Sequence, residues 1–223
     1  MGRRITDGSY EDWLNHVFDH PVTDPAWHWA DGAEEWATAP TTTAKCLTRL
    51  FQEAGRLPER FSDEQIQIGL NFLVSPSCSN HFFVLLDPAV SWELKKAGLA
   101  AIQHVFADLF APRCSDHLGH LGEPEANALN PVCYMWWDIA PILGEPDTAA
   151  FAERDALILK VMADTLGLNS EACRESALHG LGHWHSYYPD EVQTIIYDFI
   201  WKDRKIRDSL RNYAYAAMHG DVL

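Results

Sequence analysis

The sequence lacks long hydrophobic runs and has few cysteines. No stretch approaches the roughly 20 consecutive apolar residues that a membrane helix needs, and the amino-terminal residues are polar rather than signal-like. We therefore expect neither export nor a membrane partner. The five cysteines are scattered, odd in number and without Cys-x-x-Cys spacing. This pattern favours reduced thiols and a cytoplasmic location over a disulfide framework or a zinc ribbon.

Basic residues are also scarce. The chain has 17 lysines and arginines against 32 aspartates and glutamates, which gives a net charge of −15. Nucleic acid phosphates should repel a protein this acidic, so no nucleic acid partner is expected. A basic protein would be attracted instead, although ordinary charge for solubility explains the same surplus.

Sequence signatures of common enzyme classes are missing as well. The chain contains no Gly-x-Ser-x-Gly, no phosphate-binding loop and no His-Glu-x-x-His. None of its cysteines lies in a sequence context that marks an activated nucleophile. We therefore assign no catalytic residue from the sequence.

Apolar and aromatic residues are abundant. In 223 residues the apolar fraction is 47%, with nine tryptophans and ten phenylalanines, enough apolar surface to offset the entropy of folding. No linker-like stretch divides the chain, so one all-α domain spanning 1–223 is expected. Residues 1–39, rich in Trp and Pro, are predicted to cap a helical stack formed by residues 40–223. Its helices are predicted near 41–55, 63–74, 91–110, 129–143, 149–166, 170–186, 190–201 and 207–217, and a short helix near Tyr10–Phe18 precedes them.

A faint repeat of small residues links three of these helices. Gly98, Ala177 and Ala214 are each followed, three and four positions later, by a small and a larger residue, and they lie 79 and 37 residues apart. At these positions the chain resembles HEAT-like and armadillo-like α-solenoids over about residues 90–220. The resemblance implies stacked antiparallel helix pairs with close helix contacts at the small residues. A non-repeating helical bundle is the alternative architecture.

The segment 175–185 contains three histidines. His179 and His183 are four residues apart, which places both on one side of a helix at metal-ligand spacing. His185 should point away from them. Two interpretations remain open: histidines hydrogen-bonded against a neighbouring helix, or two ligands of zinc or iron. The metal interpretation needs further ligands, and the candidates are Asp138, Glu175, His117 and His120.

A second cluster, Trp136-Trp137-Asp138, combines two adjacent indoles with a carboxylate. Adjacent residues of a helix point about 100° apart, so an indole outside the core could anchor a partner. The alternative is that both indoles are buried between helices.

The leading functional hypothesis is a protein-binding module, of adaptor or immunity type, with no cofactor. Its acidic, aromatic-lined face would include Trp136, Trp137, Asp138, His179 and His183. A metal-dependent enzyme that uses the histidine pair is one alternative, and it predicts a concave pocket where the candidate ligands converge within a few ångströms. A structural subunit of an oligomer is another. The oligomeric state and the partner's identity cannot be derived from the residues.

Overall fold

A computed structural model describes residues 4–124, 126–202 and 205–222 of the chain. These residues form an all-α fold, as predicted, with one pair of two-residue strands. The α-helices are α1 (Tyr10–Phe18), α2 (Pro40–Gln52), α3 (Asp63–Val74), α4 (Trp92–His104), α5 (Ala111–Arg113), α6 (Asn130–Tyr134), α7 (Trp136–Ile139), α8 (Ala152–Leu166), α9 (Glu171–Trp184), α10 (Pro189–Lys202) and α11 (Asp208–Ala217). No helix in the described ranges is both long enough and apolar enough to cross a membrane.

Short polar signals define where several helices begin. The Ser62 side chain accepts a hydrogen bond from the Gln65 backbone N–H, and the Gln65 side chain accepts one from the Ser62 backbone N–H. This capping box satisfies backbone donors that the first turn leaves free. Ser170 caps α9 through the Cys173 backbone N–H. Both starts were predicted from the sequence.

The predicted helix at 129–143 is divided into two short helices. Met135, with φ −82° and ψ 1°, separates α6 from α7. Helix α7 ends before Ala140, which is extended because Pro141 follows it. The division moves Asp138 onto a separate, four-residue helix.

The amino-terminal segment packs its apolar side chains against the helices. Trp13, Val17 and Phe18 of α1 are almost fully buried, and a Cβ on Gly69 of α3 would lie 2.2 Å from a Phe18 ring carbon. Strand β1 (Arg4–Ile5) pairs in parallel with β2 (Glu35–Trp36). The pairing of β1 with β2 therefore joins the start and the end of the amino-terminal segment 1–39. Residues 1–3 of this segment lie outside the described ranges.

Helix α4 continues without a break through a π-helical turn, Val105–Phe110, into α5. It packs against α2 and α8. Its buried residues Leu99, Ile102, Phe106 and Phe110 form the continuous apolar face predicted from the helical spacing.

Helix α9 lies at the centre of the carboxy-terminal half. It contacts α6, α7, α8, α10 and α11, and most of its residues are buried. Gly180 permits the close approach of α7, because a Cβ there would lie 2.6 Å from Cγ of Trp137. Helices that surround a central helix are typical of a bundle rather than a linear stack.

We predict that Gly180→Ala destabilises the protein by up to about 2 kcal/mol. The added methyl group would overlap Trp137, at a cost of about 1–3 kcal/mol, against about 1 kcal/mol gained in helix propensity. Denaturant unfolding of both proteins measures the difference. Gly167→Ala is the matched control, because its Cβ would meet only the Asp164 carbonyl oxygen, at 3.1 Å. Equal stabilities of the two variants would contradict the packing argument.

Candidate functional site

Helix α9 presents His179 and His183 on the same side, one turn apart, as their spacing predicts. The ring centroids are 4.6 Å apart and the rings are nearly perpendicular. The two Nε2 atoms face one another at 3.2 Å. One Nε2 must carry a proton for this contact to be a hydrogen bond, whereas a metal ion would use both lone pairs.

Asp138 of α7 reaches the same point from a different helix. Its Oδ1 lies 3.5 Å from Nε2 of His183. One ligand atom from each of Asp138, His179 and His183 lies within 4.8 Å of the other two. The contact of Gly180 with Trp137 brings α7 onto α9 beside this cluster. We call these three residues the His-His-Asp cluster.

The cluster is buried on one side and open on the other. His179 is fully buried, whereas the side chains of His183 and Asp138 are 39% and 42% exposed. Burial, and secondly the neighbouring His183, lower the pKa of His179 to about 4. Its imidazole is therefore neutral at physiological pH and offers a lone pair for coordination.

Two tyrosines hold the buried imidazole in place. Nδ1 of His179 forms a 2.7 Å hydrogen bond with the Tyr213 hydroxyl, which lies 3.2 Å from the Tyr134 hydroxyl. The Tyr134 ring also packs on the His179 ring at 4.6 Å. Burial raises the pKa of both phenols, so they remain protonated. Neither tyrosine is predicted from the sequence, because Tyr213 is 34 residues from His179 and no motif links them.

Glu175 was a candidate ligand, but its carboxylate is occupied elsewhere. It accepts hydrogen bonds from the backbone N–H groups of Gly119 and His120, at 2.7 and 3.0 Å, and lies 2.5 Å from Nδ1 of His120. The His120 ring in turn stacks on Tyr213 at 4.2 Å. Glu175 and His120 therefore pack beside His179 through Tyr213 and are not part of the His-His-Asp cluster.

His117 is likewise outside the cluster. It lines a separate cavity of about 260 Å³ together with Glu175 and Tyr134. Among the residues that the structure describes, the metal-ligand grouping contains Asp138, His179 and His183 alone. The candidate ligands Glu175, His117 and His120 are therefore excluded from it by position.

The assignment of Trp136 and Trp137 to a binding face requires correction. Trp136 is fully buried among Phe51, Phe106 and Phe110, and Trp137 is 4% exposed. Trp137 lies between Gly180 and the parallel ring of Phe106. Both indoles belong to the core because α7 packs between α9 and the π-helical turn.

His185 points away from the cluster, as predicted. Its Nε2 lies 3.5 Å from the Gln193 side-chain nitrogen, and a Cβ on Gly220 would lie 3.2 Å from its Nδ1. His185 can therefore serve as a control position in experiments on His179 and His183.

Comparison with family models, with curated proteins and with solved structures finds no match to this chain. The geometry of the cluster is therefore the basis for inferring a function.

We predict that Tyr213→Phe destabilises the protein by about 1–2 kcal/mol, because it leaves buried Nδ1 of His179 without a partner. Tyr215→Phe is the control on the same helix, since Tyr215 is 51% exposed, and its effect should stay within about 0.5 kcal/mol. Thermal or denaturant unfolding measures both. Equal effects would mean that the hydroxyl contact contributes nothing to stability.

Proposed function

We propose that this chain binds one divalent transition-metal ion, most suitably zinc, at Asp138, His179 and His183. The observation that supports the proposal is the convergence of these three side chains, which the alternative of separated or independently packed histidines does not require. Two imidazoles and a carboxylate are ordinary zinc ligands.

Two of the three edges of the cluster fit zinc coordination. Ligands about 2.0–2.1 Å from a tetrahedral ion are separated by ~3.3 Å. The distance is 3.2 Å between the two Nε2 atoms and 3.5 Å between Nε2 of His183 and Oδ1 of Asp138. The third edge, between His179 and Asp138, lies within 4.8 Å, so the exposed Asp138 side chain would have to move towards His179 by at most about 1.5 Å to complete the coordination sphere.

The buried histidine also has the hydrogen bond that metal-bound histidines usually make. Coordination through Nε2 leaves the proton on Nδ1, which then donates to the Tyr213 oxygen at 2.7 Å. A partner of this kind fixes the tautomer and the ring orientation.

Three protein ligands, two of them partly exposed, leave a coordination position for water. Structural zinc sites are usually closed by four protein ligands, whereas catalytic sites keep one position open. Zinc-bound water loses a proton near pH 7 and becomes a nucleophile. We therefore propose metal-assisted hydrolysis as the reaction class.

Metal analysis tests the binding proposal. Protein purified without chelator and supplied with zinc should hold about one ion per chain, and His183→Ala or Asp138→Asn should weaken binding at least tenfold, because each removes a ligand. His185→Ala is the matched control and should bind zinc like the unmodified protein. Absence of zinc, or equal losses in all three variants, would refute the site.

Cobalt substitution tests whether a position is open. Azide should shift the visible absorption bands of the cobalt-loaded protein, because it replaces bound water at the fourth position. A spectrum that azide leaves unchanged would indicate a closed site and would contradict the hydrolytic proposal. The Asp138→Asn variant, with weakened metal binding, provides the reference spectrum.

A protein partner of basic character is a second proposal. It is supported by the net charge of −15 and by Tyr197 and Trp201 of α10, which stack on one another and are 57% and 62% exposed. Co-sedimentation with a lysine-rich peptide at low and high salt tests it, and lack of binding at low salt would count against it.

HEAT-like stacking also stays a proposal, and the metal site does not depend on it.

A further inference from the structure

Residues 20–39 cross the amino-terminal helices as a strap. The strap follows α1, forms the 3₁₀ helix Trp27–Trp29 and strand β2, and ends where α2 begins. A cavity of about 360 Å³ lies between the strap, the start of α2 and residues 72–84. The Gln65 side chain of α3 donates a hydrogen bond to the His20 carbonyl oxygen at 2.9 Å. Aromatic and imidazole rings supply further contacts between the strap and the helices.

Histidine rings lie on both sides of the contact between the strap and the helices. Four histidines are found there, on α1, on the strap and in the cavity wall: His16, His20, His28 and His81. The His16 ring meets the rings of Trp27 and Trp36 of the strap at 5.4 and 5.6 Å. The His28 ring of the strap packs on Phe72 of α3 at 5.3 Å. Imidazoles therefore take part in the contact from both the strap and α1.

The ring nitrogens of three of these histidines are closed to solvent. Nε2 of His16, Nε2 of His81 and both ring nitrogens of His28 are buried and have no hydrogen-bond partner in the described part of the chain. The His81 ring packs on Phe72 at 5.2 Å and on Trp13 at 6.0 Å. A positive charge on a buried atom without a partner is costly. Protonation of the three rings is therefore opposed while the strap is in place.

The charged groups around the three rings do not offset that cost. His20 faces both His16 and His28, and His16 faces His81, so additional positive charge would be repelled. The Glu34 carboxylate faces His16 and favours its charged form, but burial outweighs this effect. Other titratable groups beside the rings are Glu35 and Cys78 in the cavity wall and Asp24 in the groove next to His28. The surroundings therefore favour the neutral form of all three rings.

Acid acts differently on the closed strap and on a released one. Burial, and secondly His16, lower the pKa of His81 to about 3. Burial, and secondly His20, lower the pKa values of His16 and His28. In the released form a solvated histidine returns to a pKa of about 6.5. Below about pH 6.5 the released form binds more protons than the closed form, so the closed form loses stability as the pH falls.

We propose that residues 20–39 form an acid-sensitive strap, which dissociates from α1 and α3 when His16, His28 and His81 take up protons. Release separates β2 from β1 and uncovers Phe72, which is 6% exposed in the closed form. Helices outside the amino-terminal half stay folded. The strap is separate from the His-His-Asp cluster, and the proposal does not rest on the metal site.

Hydrogen exchange of the full chain at pH 7.5 and pH 5.0 tests the proposal, with mass spectrometry as the readout and a correction for the intrinsic pH dependence of exchange. Each histidine that is protonated only on release favours the released form by up to about 30-fold over this range. The backbone N–H groups of Ala30 and Ala37 donate to the carbonyl oxygens of Trp27 and Ile5. Strap peptides that contain these amides should lose about 100-fold in protection, and α4 about threefold at most. Unchanged protection of the strap, or an equal loss in α4, would overturn the proposal.

Variants that keep a ring test which groups are responsible. His16→Phe with His28→Phe removes two titrating groups, so the loss of strap protection between pH 7.5 and pH 5.0 should shrink by at least about tenfold. His28→Phe alone, at a half-buried ring, should shrink it by at least about threefold. His104→Phe with His219→Phe makes the same change at exposed positions and should retain the full loss.

Each protein is compared with itself at two pH values, so a change in its basal stability does not decide the result. An undiminished pH effect in the double and single strap variants would show that other groups release the strap. An equal decrease in the control at His104 and His219 would likewise contradict the proposal.

Discussion

The burial of α9 is the constraint on which the carboxy-terminal half depends. This helix carries Glu175 and His179 into the interior, where they are 1% and 0% exposed. A buried carboxylate or imidazole without a partner would cost several kcal/mol, so the surrounding elements must provide hydrogen bonds as well as apolar surface. The Gly119–Leu121 turn supplies them to Glu175, and Tyr213 of α11 supplies one to His179.

These two sets of hydrogen bonds meet at one place. The His120 ring, held by Glu175, stacks on the Tyr213 ring, whose hydroxyl bonds to His179. Movement of the turn would therefore disturb the tyrosine and, through it, the imidazole. The result is a cluster with one rigid member, His179, and two members, His183 and Asp138, that can adjust at the surface. Such an arrangement suits a site that binds an ion and then exchanges a ligand, because the fixed histidine keeps the position while the exposed ligands move.

Features of the fold and of the cluster that involve residues close together in the sequence were predictable. Contacts between residues far apart in the sequence were not. The helix Tyr10–Phe18, the Ser62–Gln65 capping box and the shared side of His179 and His183 are local features, and the residues involved predict them. Asp138 was one of four candidate ligands, and only its position on a separate short helix distinguishes it from Glu175. The bond from Tyr213 to His179 joins residues that no periodicity relates.

The misassignment of Trp136 and Trp137 has a related cause, which lies in the π-helical turn of α4. In this turn the Ala111 backbone N–H donates to the Phe106 carbonyl oxygen, five residues back, and the same oxygen is 3.8 Å from the Cys173 thiol. Within this turn the Phe106 ring lies parallel to that of Trp137. Adjacent indoles of a regular helix point in different directions, so the sequence allowed one of them to be exposed, and burial of both was the alternative. Because α7 packs between the π-helical turn and Gly180, both directions lead into apolar surroundings.

The side chain that α7 leaves at the surface is Asp138, so the packing that buries the two tryptophans also presents the carboxylate to the histidines. Wide turns of this kind are frequent at functional sites, and here the turn affects the site through the position of α7.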